Sequence, residues 1–243
     1  MDSVIIIPTY NEIGNIEKMV RKVFSLSKPF HLLIVDDGSP DGTAQRVKEL
    51  QTEFPDSLFL IERKGKLGLG TAYIAGFHWA LAREYQYIFE MDCDFSHNPD
   101  DLLRLKEAVE SGNADIAVGS RYVKGGGFVN WPQDRIFISK GASFYVNLIT
   151  WIGIKDPTAG FVCYHRRVLQ KMDLSKIRFV GYAFQIEMKF AAKKLGFIIK
   201  EIPIIFTERE IGVSKMNRNI IKEGILGVLK IQWFSFFSSY AKG

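Results

Sequence analysis

Two carboxylates separated by one residue, in Asp92-Cys93-Asp94, are the side chains of this 243-residue protein best suited to chemistry. They follow a mostly apolar run over residues 87–91, which predicts a buried strand that ends where the acids begin. Side chains at i and i+2 on extended chain point the same way. Hard divalent cations take oxygen ligands of this kind and share them with substrate phosphates. The pattern predicts a cation site at a strand end.

Acidic residues also end two earlier apolar runs. Residues 4–7 lead into Pro8-Thr9-Tyr10-Asn11-Glu12, and residues 32–35 lead into Asp36-Asp37-Gly38-Ser39. Over the first 120 residues such runs alternate with amphipathic segments, which predicts an α/β fold with a mostly parallel sheet flanked by helices. Ligands of such sheets bind beyond the carboxyl ends of the strands. Three acidic strand ends therefore predict a nucleotide-sugar site.

The pattern changes after residue 121. A glycine-rich break at residues 124–127 precedes a predicted helix over 136–154, and strands are predicted over 161–164 and 198–206. We predict a catalytic domain over residues 1–216 and a C-terminal apolar helix over 217–243. Apolar residues cover most of the circumference of this helix, so it is either buried or interfacial, and we favour docking on a membrane surface.

Composition limits the classes of function. The net charge of +5 mildly favours anionic partners, but no dense basic run supports nucleic-acid binding. Two cysteines argue against a disulfide scaffold and fit a reducing compartment. We expect no secretory signal and no spanning helix, because no stretch reaches about 20 apolar residues. The expected location is the cytoplasm.

Several motifs resemble those of the dolichyl (polyprenyl) phosphate mannose synthases, which are inverting GT-A glycosyltransferases of family 2. The resemblance runs from residue 4 to about residue 215. Within the family, this chain is similar to the members that consist of a soluble domain alone. D-D-G-S-x-D-G-T and D-x-D mark the wider superfamily, whereas G-S-R-Y and N-W-P narrow the resemblance to enzymes with polyprenyl phosphate acceptors. These motifs are Pro8-Thr9-Tyr10-Asn11-Glu12, Asp36-Asp37-Gly38-Ser39-Pro40-Asp41-Gly42-Thr43, Asp92-Cys93-Asp94, Gly119-Ser120-Arg121-Tyr122, Asn130-Trp131-Pro132 and Ser214-Lys215.

The resemblance implies a GDP-mannose site and a divalent cation, Mg²⁺ or Mn²⁺. The implied donor contacts are Pro8, Tyr10, Glu12, Val35, Asp37, Asp92, the Cys93 backbone, Asp94, Arg121, Arg209 and Lys215. Asp94 is the expected principal metal ligand, with Asp92 and Ser96 assisting. Family members often carry Gln at the position of Ser96, which is a shorter ligand. For Asp36, Asp41 and Asp92, turn chemistry or helix capping is the alternative to a functional role.

The resemblance also places Arg121 and Arg135 at the phosphate of the lipid acceptor, so that they act in catalysis together with Asp94. A phosphate monoester is largely a dianion at neutral pH and needs no general base. It needs positioning, which planar arginine supplies well. The alternative for Arg135 is an ion pair with its neighbour Asp134. A loop containing Arg209 and Lys215 would close over the diphosphate.

Two other groups of residues were considered as candidate site residues, and neither has a pattern that indicates a specific chemistry. The glycine-rich residues 65–71 lack the order of a Walker motif, and Lys66 within them has no assigned role. The four histidines lack metal-ligand spacing, and we interpret them as structural or surface residues.

The favoured hypothesis is transfer of mannose from GDP-mannose to polyprenyl phosphate by a peripheral protein on the cytoplasmic face of a membrane, with oligomerisation left open. One alternative is the same chemistry with UDP-glucose or another donor. Another is a non-catalytic subunit that anchors a partner through its aromatic C-terminus. A nucleic-acid binder is the weakest alternative.

Overall fold

The computed structural model describes residues 1–181, 183–209 and 218–242, without the side chains of 218–223. Nine strands and eight α-helices occur in this part of the chain, together with a short 3-10 turn at Leu174–Lys176. In chain order they are β1 (Ser3–Thr9), α1 (Ile16–Phe24), β2 (His31–Asp36), α2 (Thr43–Glu53), β3 (Leu58–Glu62), α3 (Leu69–Leu81), β4 (Tyr87–Glu90), α4 (Asp101–Glu110), β5 (Ile116–Ser120), β6 (Gly127–Val129), α5 (Gln133–Thr150), β7 (Val162–His165), α6 (Arg166–Lys171), α7 (Ala183–Lys194), β8 (Ile199–Pro203), β9 (Ile205–Thr207) and α8 (Arg218–Phe234).

The main sheet has seven strands in the order β3-β2-β1-β4-β7-β5-β8. Its neighbours pair in parallel except at β7, which runs antiparallel to both β4 and β5. Strands β6 and β9 form a separate parallel pair. The predicted α/β architecture with a mostly parallel sheet is therefore confirmed.

Alternation along the central strands divides the core into two layers. In β1, Val4 and Ile6 belong to one buried cluster, while Ile5 and Ile7 belong to the other, on the opposite face of the sheet. Helices cover both faces, so both sets of side chains leave water, at roughly 1.5–3 kcal/mol for each large aliphatic group. This burial fixes the register, because a slip of one residue would exchange the two sets.

Two predicted boundaries were wrong. Helix α5 begins at Gln133, directly after Pro132, and ends at Thr150 rather than at residue 154. It ends there because Trp151 adopts a left-handed φ of 51° and the Asn147 side chain accepts hydrogen bonds from the backbone of residues 153 and 154. The single strand predicted over 198–206 is two strands in different sheets, β8 and β9.

The C-terminal helix α8 has one face in the core. Val228 and Ile231 are buried, and Tyr240 beyond the helix donates a hydrogen bond of 3.2 Å to Glu187. The opposite face is exposed at Leu229 and Trp233. The proposed division at residue 216 stays a prediction. Across the described ranges, we find no helix whose length and apolarity would let it span a bilayer.

Candidate active site

The carboxyl ends of β1, β2 and β4 meet at one edge of the sheet, as predicted, and Asp36 joins two of them. Its carboxylate accepts hydrogen bonds from Thr9 Oγ1 at 2.9 Å and from the Ser39 backbone at 2.8 Å. Asp41 similarly accepts from the backbone and hydroxyl of Thr43 at 3.0 and 2.6 Å. These contacts support the turn interpretation of Asp36 and Asp41.

Asp37 forms a buried ion pair with Arg63. The guanidinium donates to Asp37 Oδ1 from Nε at 2.6 Å, and Nη1 reaches Thr71 Oγ1 at 2.7 Å. The second oxygen of Asp37 accepts from the Leu67 backbone at 3.3 Å, and Arg63 also contacts the carbonyl of Gly68. Asp37 is therefore a fixed anchor of the glycine-rich loop. Arg63 carries no local sequence pattern that would have predicted this role.

The other expected donor residues lie around this anchor. Pro8 and Val35 are register partners on β1 and β2, which places them side by side. The Lys66 ammonium lies 4.8 Å from the centroid of the Tyr10 ring, which is a cation–π distance. Glu12 follows in the same loop, and its backbone N–H is held by α2. The structure brings these residues together at one corner of the sheet.

The D-x-D acids lie in a bend after β4, not on extended chain as expected. The strand ends at Glu90, and Phe95 turns the chain through a left-handed φ of 60°. The two side chains therefore differ in environment: Asp92 is 40% exposed and Asp94 only 5%. Asp94 Oδ1 accepts from the Ser96 backbone at 3.0 Å. The Ser96 hydroxyl is buried and has no hydrogen-bond partner within the described chain.

Arg209 contacts the second oxygen of Asp94, at 3.1 Å from Nη2. A cation from the segment after β9 thus reaches the D-x-D motif, while closure of the loop over a diphosphate stays a prediction. Lys215, the other cation of that hypothesis, lies outside the described residues.

Arg135 pairs with Glu208 at 2.7 Å and not with Asp134, so the alternative considered for it was wrong. Glu208 is itself fixed, because its backbone donates to the carbonyl of Val129 at 3.0 Å. The pair links the first turn of α5 to the end of β9, and this link places Arg135 on the wall of a cavity.

Arg121 is held more tightly. Its Nε and Nη2 donate to the two oxygens of Asp156 at 2.7 and 2.6 Å, and Nη2 also reaches Thr158 Oγ1 at 2.9 Å. Burial opposes ionisation of Asp156, but the charge and hydrogen bonds of Arg121 outweigh it and keep the carboxyl pKa below its ordinary value. Glu201 accepts from the Asp156 backbone at 2.9 Å. Four rings lie 5.4–5.8 Å from the guanidinium carbon, those of Tyr122, Phe128, Trp131 and Phe206.

His97 and Cys93 are buried beside the acids. The His97 ring stacks on Phe161 at 5.0 Å, and burial lowers its pKa to about 4, so it is neutral at pH 7. Its Nδ1 accepts a long hydrogen bond of 3.5 Å from the Asp92 backbone. Burial raises the pKa of the Cys93 thiol, so the thiol is neutral at pH 7. The structural interpretation of His97 fits these contacts.

A buried polar network lies beneath the D-x-D motif. Gln185 donates to Glu90 at 2.6 Å and accepts from the Lys189 ammonium at 3.0 Å. Burial raises the pKa of Glu90 to about 7 and lowers that of Lys189 to about 8. Tyr164 lies at hydrogen-bond distance from Glu90. The network ties α7 to the end of β4.

A cavity of about 740 Å³, which we call the catalytic cavity, connects these groups. Its polar end is formed by Asp92, Ser96, Arg121, Arg135 and Arg209. Its walls are mostly apolar and come from α5, α7 and α8; they include Ile138, Ala142, Val146, Ile186, Ile225 and Val228. Ser139 on α5 also lines it, with a buried hydroxyl that has no hydrogen-bond partner in the described structure. The cavity can hold an anion at one end and an apolar chain along its length.

Within the described ranges, no three His, Cys, Asp or Glu side chains cluster closely enough to hold a metal ion. A cation at the D-x-D motif would therefore need oxygen ligands from a hydroxyl and from a bound substrate. Such sharing is usual for Mg²⁺ at phosphate sites.

Comparison with known proteins identifies relatives over most of the chain. A family model described as glycosyl transferase family 2 matches residues 4–173. A polyprenol monophosphomannose synthase from Mycolicibacterium smegmatis is 48% identical over 226 residues, which cover 93% of this chain and 85% of the relative. An undecaprenyl-phosphate mannosyltransferase from Micrococcus luteus is 43% identical over 225 residues, which cover 93% of this chain and 91% of the relative.

Solved structures share the fold at low identity. A mannosyltransferase from Pyrobaculum calidifontis, in complex with GDP-Man and Mn²⁺, matches with a TM-score of 0.61 at 16% identity, over 99% of this chain and 66% of that one. Residues 1–349 of S. aureus TarS, in complex with UDP, match with a TM-score of 0.63 at 16% identity, over 100% of this chain and 67% of that one. This chain thus spans about two thirds of these solved structures, which confirm the GT-A fold. On the family model and the two curated relatives, the chain belongs to glycosyl transferase family 2.

Proposed function

We propose that this protein transfers mannose from GDP-mannose to a polyprenyl phosphate, with inversion at the sugar. The observation that carries the proposal is the catalytic cavity, whose polar end combines Asp92 of the D-x-D motif with three arginines, one of them paired with Asp94, while its walls suit an isoprenoid chain. The names of the two curated relatives support both mannose and the polyprenyl phosphate acceptor. The GDP-Man and Mn²⁺ in the Pyrobaculum structure support the choice of nucleotide and the need for a divalent cation.

The residues at the D-x-D motif fit a hard cation. Asp92 and Asp94 offer carboxylate oxygens, and the buried hydroxyl of Ser96 has no other partner among the described groups. These three side chains would hold Mg²⁺ or Mn²⁺, with donor phosphate oxygens completing the ligand set. When bound, the cation would offset negative charge on the departing diphosphate.

The arginines divide the remaining work. Arg121 and Arg135 hold the acceptor phosphate, which is anionic at neutral pH and attacks without a general base. One of its oxygens bonds to the anomeric carbon while the bond from that carbon to the GDP oxygen breaks on the opposite side. Arg209, now paired with Asp94, can turn to the diphosphate, and Lys215 would join it. Preorganised charge of this kind contributes several kcal/mol to catalysis.

The donor nucleoside would occupy the corner of the sheet near Asp37. Pro8 and Val35 would pack against it, the ring of Tyr10 offers a face for stacking, and Glu12 and the Cys93 backbone supply further polar contacts. The Arg63–Asp37 pair holds the glycine-rich loop in place beside this corner. These donor roles follow the family pattern residue by residue.

Exposed apolar side chains support a peripheral position on the cytoplasmic face of a membrane. Helices α5 and α8 contact each other, and each presents a row of large apolar groups to solvent. These groups are Phe137, Phe144, Leu148 and Trp151 on and after α5, and Ile225, Leu226, Leu229, Trp233, Phe236 and Phe237 on and after α8. An interface of this kind would let the acceptor enter the catalytic cavity from the lipid.

A donor screen tests the proposal. Purified protein is incubated with short-chain polyprenyl phosphate, Mg²⁺ or Mn²⁺, and radiolabelled GDP-mannose, GDP-glucose, UDP-glucose or UDP-N-acetylglucosamine. We expect lipid-linked label from GDP-mannose alone. Preferred transfer from UDP-glucose would establish the alternative donor. Absence of transfer from every donor, together with no cation-dependent GDP binding by calorimetry, would favour the non-catalytic subunit.

A further inference from the structure

A second cavity, of about 620 Å³, lies between the β6 segment and α5. We call it the rear pocket. The residues that line it include Tyr122, Phe128, Gln133, Lys140, Ser143, Asn147 and Lys155. Arg121 is the one residue that lines both this pocket and the catalytic cavity in the described structure. The two cavities are therefore neighbours that share Arg121 in their walls.

The lining of the rear pocket is cationic. Arg121, Lys140 and Lys155 contribute positive charge, and no Asp or Glu lines the pocket in the described part of the chain. Asp156 offsets the charge of Arg121 from behind. Lys140 and Lys155 have exposed side chains, and neither ammonium forms an ion pair with a described residue. The pocket thus carries two positive charges that no described carboxylate neutralises.

A buried hydroxyl also points to a ligand. Ser143 is only 5% exposed, lines the pocket, and has an Oγ atom without a hydrogen-bond partner among the described residues. A buried hydroxyl left unpaired costs roughly 1–3 kcal/mol. The next residue, Phe144, also lines the pocket and is 71% exposed. Polar and cationic groups therefore lie directly beside a side chain of the apolar face of α5.

We propose that the rear pocket binds the phosphate group of an anionic phospholipid headgroup. Lys140 and Lys155 supply the charge, Ser143 donates a hydrogen bond to a phosphate oxygen, and Phe144 lies against the acyl chains. A free phosphate ion presents the same oxygens and is the other source of this chemistry. The choice of a lipid rests on the membrane position in the proposed function. The rear pocket shares Arg121 with the proposed acceptor site, and its other lining residues differ from those of the catalytic cavity.

Vesicle flotation tests the site without relying on catalysis. The full-length protein is mixed with vesicles of phosphatidylcholine alone, or of phosphatidylcholine mixed with phosphatidylglycerol. The variants are Lys140→Gln/Lys155→Gln and Ser143→Ala. The control is Lys18→Gln/Lys193→Gln, which removes the same charge from exposed positions on α1 and α7. Each basic residue close to an anionic surface contributes roughly fivefold to binding. We expect the pocket double variant to bind the anionic vesicles about tenfold or more weakly than wild type.

The comparisons separate the outcomes. Ser143→Ala should weaken binding to the anionic vesicles and leave binding to phosphatidylcholine unchanged. Equal losses in the pocket and control double variants would overturn the proposal, because general electrostatics would then suffice. Displacement by millimolar inorganic phosphate, with no preference for phosphatidylglycerol, would assign the pocket to free phosphate and also overturn it. Mannose transfer to a short-chain acceptor in detergent should be unchanged in the pocket variants, so a failure of the proposed function is recognised separately. Lys155→Gln alone, a change on an exposed loop, serves if the double variant does not fold.

Discussion

The Asp156 carboxylate grips the Arg121 guanidinium through two hydrogen bonds of 2.7 and 2.6 Å, in the fork geometry that suits arginine best. Asp156 is fully buried, and its backbone is fixed in turn by Glu201. Arg121 is therefore a positioned group whose direction is set before any ligand arrives. In the proposed mechanism, Asp156 is the positioning residue that aims Arg121 at the acceptor phosphate.

Replacement of Asp156 tests this arrangement. Asp156→Asn leaves the buried Arg121 charge without its counter-charge, which should lower the free energy of unfolding by about 3–5 kcal/mol. We expect the KM for polyprenyl phosphate to rise more than the KM for GDP-mannose. Urea unfolding and initial-rate kinetics measure the two effects. The exposed Asp56→Asn should change neither, and a donor-selective defect in Asp156→Asn would contradict the assigned role.

The same pair predicts a pH dependence of stability. The folded-state pKa of Asp156 lies below its ordinary value of 3.8, so the unfolded chain binds the proton first as the pH falls. The contribution of the pair is therefore complete above that value and is lost as the pH falls below it. The difference in unfolding free energy between wild type and Asp156→Asn should stay constant from neutral pH to about pH 5. It should shrink as the pH falls below 3.8 toward the folded-state pKa. A difference that stays constant in this acid range as well would mean that Asp156 does not titrate as assigned.

Substitution of Asp94 should affect mainly transfer, whereas substitution of Asp41 should affect mainly stability. Asp94→Asn removes the principal carboxylate from the proposed cation site, and transfer should fall roughly a hundredfold to a thousandfold. Asp41→Asn weakens the turn that holds Thr43 and should cost about 1 kcal/mol of stability, with transfer retained. Transfer assays and thermal unfolding of both variants provide the check. Near-normal turnover by Asp94→Asn would remove the basis for the metal role.

Arg63 should matter for donor binding although it was not predicted from the sequence. Arg63→Gln leaves Asp37 buried without its counter-charge and releases the glycine-rich loop. We expect GDP to bind at least about tenfold more weakly by calorimetry, with a loss of stability of about 3–5 kcal/mol. The control Arg46→Gln breaks exposed ion pairs and should leave the free energy of unfolding nearly unchanged. Equal GDP affinity in the two variants would contradict the proposed placement of the nucleoside.

Two glycines should respond oppositely to alanine. At Gly70 a Cβ atom would lie 2.6 Å from Phe184 Cδ2 and 2.8 Å from the Phe179 carbonyl oxygen, so Gly70→Ala should destabilise the protein by about 1–3 kcal/mol. At Gly141, within α5, no described atom beyond its chain neighbours and the backbone of the helix itself lies within 4 Å of the added carbon. Gly141→Ala should therefore stabilise by about 0.5–1 kcal/mol through helix propensity. Chemical unfolding of both variants, measured side by side, decides the signs.

The strand ends were predictable because their information is local. Alternation in β1 and β2 and the acids that follow them specify a parallel sheet with a polar edge, whatever the distant residues do. The family resemblance could be recognised from the sequence because each motif is a short continuous pattern. The bend at the D-x-D motif could not be predicted from local residue types. It depends on Phe95 in a left-handed conformation, which phenylalanine rarely adopts.

The supporting residues could not be predicted, because each acts across a long separation in sequence. The hydrogen bonds between Arg63 and Asp37, between Arg121 and Asp156, and between Gln185 and Glu90 can form only after the sheet has assembled. For Arg135, the sequence suggested a local partner and the structure shows a distant one. Its sequence neighbour Asp134 suggested a local pair, whereas the fold supplies Glu208 from the end of β9.

The antiparallel strand β7 has a consequence for the order in which the chain can assemble. β7 separates β4 from β5, although both of them precede it on the chain. During synthesis on the ribosome, the unit from β1 to β4 can form early, but β5 has no neighbour until β7 emerges. The nascent protein must therefore carry the unpaired edges of β4 and β5 through a long stretch of translation. The sheet is completed late, because β7 has to pair between β4 and β5 and β8 has to pair with the other edge of β5.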